Sequence, residues 1–300
     1  MAGALPHTGR MPTPRLSDLT PTQVVQVQDA LLQNADNLLR SAIAVLDLGN
    51  AGLARSLAIL ALEESGKAIA IHQRRVEMAY EPEGTPFVDQ PLRQLWGRHE
   101  EKLRRVHRFL VQEDYWFDVE PPDPDANLAI LGTIEEWSKN QNVMKQKGFY
   151  VDVEGGIIVS PSDEVDNQGL RDIIGRVHQI GWQLRLGEHI EAKQQAECAE
   201  PTPPASPENI KEIRKLLMNA MGDDGFDETT LDVLRHGRPG MTLNNDAYRL
   251  RLPSPGSNPF QNMGKPGYEA QTRELLRLGE ENELPDEDST PGDQYIRTER

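Results

Sequence analysis

Residues 53–75 read LARSLAILALEESGKAIAIHQRR, with an unbroken apolar run from Leu57 to Leu62 and a second from Ala68 to Ile71. A helix that is apolar nearly all round belongs in the middle of a bundle rather than on its surface. This stretch therefore constrains the fold more than any other: the rest of the chain has to wrap it with further helices.

Glu63, Glu64, Ser65, Gly66 and Lys67 interrupt the two runs. Steps of three and four through Leu53, Leu57, Leu60, Glu64, Lys67 and Ile71 keep to one helix face, which puts Glu64 and Lys67 on a line expected to pack. A buried charge needs a partner, and a buried pair adds little net stability because desolvation cancels the attraction. Specificity or chemistry is then the reason for it. The plainer arrangement is a surface pair of Glu63 with Lys67 at i,i+4, worth a few tenths of a kcal/mol, with Glu64 at the rim.

The flanking chain supplies the partners. Thr20-Pro21-Thr22-Gln23 has the form of a capping box with proline at the first helical position. Val24, Val27, Leu31, Ala35, Leu38, Ala42 and Val45 follow at helical spacing. Asn34 falls beside Ala35 on this stripe, as a satisfied core amide or as part of a site. Gly49, Asn50 and Gly52 end the helix, so it forms an antiparallel hairpin with the central one. A third helix is expected over 90–113, with Leu92, Leu95, His99, Leu103, Val106 and Leu110 inward, and a fourth over 125–147. Residues 148–153 and 157–161 read as two short strands around Glu154-Gly155-Gly156, and a fifth helix as 162–197. Pro201 to Pro207 is a linker, and a short amphipathic helix follows over 208–221. The remainder is acidic, rich in proline and glycine, and weakly periodic, with a transient helix at 269–283 suited to a partner. The division is a disordered lead at 1–19, a helical domain at 20–199 and a mostly disordered tail at 200–300.

His99 on an inward stripe is either a satisfied core residue or a functional one. Arg93, Arg98, Lys102, Arg104, Arg105 and Arg108 surround it, against Glu100 and Glu101. In a chain of net charge −16 this is a local basic ridge suited to phosphate, or else a solvated face paired with acidic surface. The overall charge argues against general nucleic-acid affinity. Cys198 is the single cysteine, which excludes a disulfide framework. No signal-like or membrane-length apolar window occurs, so a soluble cytoplasmic protein is expected. Gly-rich phosphate loops, zinc-type cysteine pairs, Glu-x-x-His and serine-nucleophile elbows are absent. No cofactor is expected. What remains is Glu, Lys, Arg and His on helices.

Three pieces of the sequence together resemble the AbiV family of abortive-infection proteins, within the HEPN superfamily of helical domains. They are Asn34-Ala35 with Leu38, Ala42, Ala58, Leu60, Ala61, Glu63, Glu64, Gly66, Lys67 and Ala68; His99 with Lys102-Leu103; and Phe149-Tyr150-Val151-Asp152 leading to Pro161. The resemblance covers about residues 22–197. It implies an all-α, HEPN-like antiparallel bundle of about five helices with a short β-hairpin insertion and a largely disordered C-terminal tail. It also implies a homodimer that acts in defence against phage. Related HEPN domains are often ribonucleases carrying Arg-x4–6-His. Arg93 to His99 fits with five intervening residues and Arg171 to His178 with six; the first pair lies beside Lys102 and is preferred. The implied chemistry has His99 as acid or base, Arg93 and Lys102 holding the RNA phosphate, and Glu64 and Lys67 orienting His99. The rival expectation is a non-catalytic binding protein that senses a phage protein and arrests host translation, with the same cluster fixing helix register. A structural helical domain with no defence role is the third.

Overall fold

The computed structural model describes residues 16–116, 120–161, 167–201, 203–221, 232, 234–251 and 265–267. Residues 1–15 of the expected lead and the helix expected at 269–283 lie outside them. The chain is mostly helical: α1 (Pro21–Asp47), α2 (Ala51–Met78), α3 (Gln90–Gly97), α4 (His99–Gln112), α5 (Pro124–Leu131), α6 (Ile134–Lys147), β1 (Asp152–Glu154), β2 (Ile157–Val159), α7 (Asn167–Ala199) and α8 (Pro207–Met221). A 3₁₀ turn, Asp246–Tyr248, follows near the end of the described chain.

α1 begins as its sequence dictates. The Thr20 hydroxyl accepts from the Gln23 amide, and the Gln23 side chain accepts from the Thr20 amide at 2.9 Å. Asn50 restarts the chain as the cap of α2, its Oδ1 accepting from Leu53 N at 3.0 Å. α2 is the centre of the bundle: α1, α4, α6 and α7 all pack on it, and Ala54, Ala58, Ile59, Ala61, Leu62, Ala68, Ile69 and Ile71 are buried around its circumference.

Two expected helices are each broken in two. The 90–113 helix stops at Gly97, and Arg98 takes extended backbone (φ −117°, ψ 114°) before α4 starts at His99. The 125–147 helix stops at Gly132, which has φ 77°, and Thr133 caps α6 by accepting from the Glu136 amide. At the second break the positive φ of Gly132 lets α6 leave in a new direction; at the first the turn is taken by the extended backbone of Arg98. The expected hairpin forms with shorter strands. Glu154 pairs with Ile157, leaving Gly155-Gly156 as a two-residue loop with φ 59° and 86°. Positive φ at both positions is what a type I′ turn requires, and it explains why glycine occupies both.

Segments before α1 and after α8 come back onto the bundle. Leu16 and Leu19 pack against the core, and Asp18 accepts from the Val88 amide at 3.0 Å. Within the C-terminal region, Tyr248 stacks on Phe87 with ring centroids 5.5 Å apart. Asn245 N donates to the Ala79 carbonyl, and the Leu250 amide donates to Gln195 at 2.9 Å. Tyr248 and Leu250 are both buried. No helix among the described residues is long and apolar enough to cross a membrane.

Candidate functional site: a buried carboxylate between three helices

The line Gly52, Ser56, Ile59, Glu63, Gly66, Ala70 on α2 is buried throughout. It is made mostly of small residues, and other backbones approach it closely. A Cβ on Gly66 would lie 2.4 Å from the Lys102 carbonyl oxygen, so only glycine lets α4 cross here. The Ser56 hydroxyl donates to the Lys145 carbonyl at 2.7 Å and ties α6 to the same line. Glu63, one turn from Gly66 and two turns from Ser56, therefore faces α4 and α6 at once.

Its carboxylate is 2% exposed and collects three cations or potential cations. Lys145 Nζ lies 2.5 Å from Oε1, His99 Nδ1 lies 2.6 Å from Oε2, and Lys102 Nζ lies 3.6 Å from Oε2. Burial alone would push the Glu63 carboxyl up. The hydrogen bonds and positive charge of Lys145 and His99 outweigh it and hold the group below the usual carboxylate range. Lys102 is shifted down, by burial first and by Lys67 second, against the pull of Glu63 and Glu64. An ionised carboxylate can only accept, so Nδ1 of His99 must be the donor and Nε2 is the nitrogen left free to exchange a proton.

The 53–57–60–64–67 line is the half-buried side of α2, not its packed one. Glu64 and Lys67 pair with each other at 2.6 Å, and the Lys67 ammonium sits 5.2 Å from the Trp96 ring centre. On a helix apolar all round, periodicity cannot say which line opens to solvent, and the charged pair marks it. Glu63, read as a surface partner of Lys67, is instead the residue joined to His99. His99 is not inward: as the first residue of α4 its side chain is 57% exposed, though Nδ1 reaches the buried carboxylate. Arg93 is exposed on α3, on the other side of the Arg98 break. Asn34 is exposed, so the core reading of it fails. Arg104 pairs with Glu135 and Arg105 with Gln73, so those members of the basic ridge serve the protein's own surface. Arg171 is exposed on α7, and His178 lines a small cavity with Ser65, Asp36 and Gly181.

Lys145 was missed. Its signal was present: Trp137, Gln141, Lys145 and Gly148 keep one face of α6, and Trp137 and Lys145 are both buried.

A second polar network lies deeper. His72 is fully buried, with Nε2 3.1 Å from the Tyr115 hydroxyl, which donates to Glu191 at 2.8 Å. The tyrosine proton is committed to Glu191, so His72 donates from Nε2. Burial, with Arg75 and Arg185 nearby, pushes the His72 pKa down to about 3. Burial, with Glu191 second, raises the Tyr115 hydroxyl. His72 is neutral at every physiological pH and plays no part in the surface dyad.

The sequence profile of the AbiV family, whose members carry a HEPN domain, matches residues 23–182. No curated protein and no solved structure matches the chain. The matched segment runs from α1 into α7 and contains Glu63, His99, Lys102 and Lys145.

Proposed function

Because the chain belongs to the AbiV family of HEPN-domain proteins, we propose that it is an abortive-infection protein acting against phage, and that its Glu63–His99 pair cleaves RNA. The observation that carries the reading is the contact between a solvent-exposed imidazole and a buried carboxylate. Such a carboxylate fixes the ring in one tautomer and stabilises the imidazolium as it forms.

In the proposed reaction the RNA 2′-hydroxyl gives its proton to His99 Nε2. The oxygen attacks the adjacent phosphorus, and the bond from phosphorus to the 5′-oxygen breaks. The products are a 2′,3′-cyclic phosphate and a 5′-hydroxyl, whose oxygen takes its proton from water; the hydroxide so formed takes the proton from His99 Nε2 and returns the neutral base. Lys102 and Arg93 offer positive charge for the crowded phosphorane. Glu63 takes the orienting role first expected of Glu64, and the Glu64–Lys67 pair flanks it.

The test is cleavage of a labelled RNA by the purified full chain. His99→Ala should reduce the rate by about 10²–10⁴-fold, and Glu63→Gln should also reduce it. Equal activity in wild type and His99→Ala, or none in either, removes the enzyme reading.

One observation favours a second reading. Lys145 and Lys102 are only 4% and 8% exposed, and both are held by Glu63. The cluster then closes on itself and fixes the packing of α4 and α6 on α2, and the protein acts by binding a phage product. RNA that stays intact while a phage protein co-purifies would decide for it.

A further inference from the structure

α3 carries Arg93 and ends two residues before His99, yet little in its own sequence keeps it in place. It has eight residues, too few for a helix to be stable in water by itself. Leu92 and Leu95 are its buried residues, and extended backbone at Arg98 joins it to α4. Its position therefore depends on the connection over 79–89 that leads into it from α2.

That connection is clamped from three sides. From α2, Arg74 donates to the carbonyls of Phe87 at 3.1 Å and Pro86 at 3.3 Å. From the segment before α1, Asp18 accepts from the Val88 amide. From the C-terminal region, Tyr248 lies on the Phe87 ring with the two planes 18° apart. This third clamp is fastened at several points. Asn245 N donates to the Ala79 carbonyl at 3.1 Å, and Asn244 Nδ2 donates to the Tyr80 carbonyl at 2.7 Å. The Tyr248 hydroxyl donates to the Leu19 carbonyl at 3.4 Å, next to the Asp18 that holds Val88. Met241 N donates to the Cys198 carbonyl at 2.6 Å, and Leu250 N to Gln195, so both ends of the segment are fixed to α7. Phe87 and Val88 are buried and directly precede Asp89, the cap of α3. Residues 241–250 lie outside the 23–182 that match the family profile.

We infer that residues 241–250 are a strap that sets the position of α3, and with it Arg93, against a fixed His99. The two sides of Arg98 respond differently. α4 is locked to α2 by the Glu63–His99 contact and the Gly66 crossing, and neither involves the strap. α3 has no such lock. Release of the strap uncovers Phe87, loosens the connection and frees Arg93, while the Glu63–His99 pair stays. The C-terminal region thus controls an exposed cation and leaves the imidazole and its carboxylate alone. The control of α3 does not depend on the ribonuclease reading; its effect on cleavage rests on it.

The first experiment is hydrogen–deuterium exchange on the full chain. In Tyr248→Ala the amides of 80–97 should exchange about tenfold faster, and those of α4 and of α2 around Glu63 should change by less than about twofold. Tyr248→Phe keeps the stacked ring and should match the wild type. Asn244→Ala removes a bond made by an exposed side chain, so the core is untouched, and it should give the same pattern at smaller amplitude. Unchanged exchange over 80–97 in both alanine variants, or an increase spread evenly through α2 and α4, overturns the inference. RNA cleavage is the second experiment. Tyr248→Ala and Arg93→Ala should each lower kcat/KM without moving its pH profile, and the double variant should fall no further than Arg93→Ala alone. Additive losses overturn the link to Arg93. If the wild type cleaves no RNA, the ribonuclease reading falls and the exchange pattern decides the strap by itself.

Discussion

Nδ1 of His99 and Oε2 of Glu63 stand 2.6 Å apart, although the first side chain is mostly in solvent and the second almost wholly out of it. A contact of this kind couples a surface ring to an interior charge. Glu63 is held ionised by the buried Lys145 together with His99, so its charge is permanent across physiological pH. The imidazole is oriented by a group that water does not screen.

Removing the carboxylate should be costly. Glu63→Ala leaves Lys145 and Lys102 as uncompensated buried cations, a situation that typically costs about 3–5 kcal/mol. Urea denaturation should show that loss, and Glu64→Ala, which breaks a pair on the half-open side of α2, should cost under about 1 kcal/mol. Combining Glu63→Leu with Lys145→Met should recover part of the loss, because two apolar side chains replace the ion pair.

His99 should behave oppositely. Its ring is exposed and fills no cavity, so His99→Ala should change stability by less than about 1 kcal/mol while abolishing RNA cleavage. A variant that unfolds would assign the histidine to architecture.

Gly66→Ala should separate α2 from α4. The added methyl meets the Lys102 carbonyl oxygen at 2.4 Å, and neither backbone can move alone. Overpacking of this kind costs about 1–3 kcal/mol. The same shift moves His99 away from Glu63, so activity should fall more than stability does. Thermal melts and RNA cleavage on one preparation would show the split.

Acid should act through two groups in different windows. His72 has a folded pKa of about 3 against 6.5 unfolded. Below pH 6.5 the unfolded chain binds a proton that the folded chain refuses, so stability falls as pH drops from 6.5 toward 3, by roughly 1 kcal/mol per unit. Glu63, whose folded pKa is depressed below the ordinary 4.5, contributes stability that is present above 4.5 and is lost as pH falls through its folded value. Denaturation series at pH 7, 5.5 and 4.5 should show the histidine effect first. His72→Phe should flatten the slope between 6.5 and 4.5 and leave the steeper acid limb in place.

Much of the fold was legible because local chemistry and packing agree. The Thr20–Gln23 box, the Gly155-Gly156 turn and the apolar run around Leu57 each say locally what the bundle requires. The candidate site was legible only in part. Glu64 looked inward because a helix apolar on every side gives no phase, and the small residues at 52, 56, 66 and 70 were the better guide to where other helices cross. Helix-period spacing carried the reading straight through Gly97 and Arg98, and so placed His99 in the core rather than at a helix start. The α6 face of Trp137 and Lys145 marked Lys145 as buried, but its meeting with Glu63 follows from the crossing of α6 on Ser56, a contact 89 residues apart that no local pattern announces.

The folding back of residues 241–250 has a consequence for synthesis. Phe87 leaves the ribosome 161 residues before Tyr248 (248 − 87), the ring that covers it. At about 5–20 residues per second that patch of the nascent bundle stays bare for roughly 8 to 30 seconds. During that interval a chaperone, or a neighbouring chain on the same messenger, has first access to it.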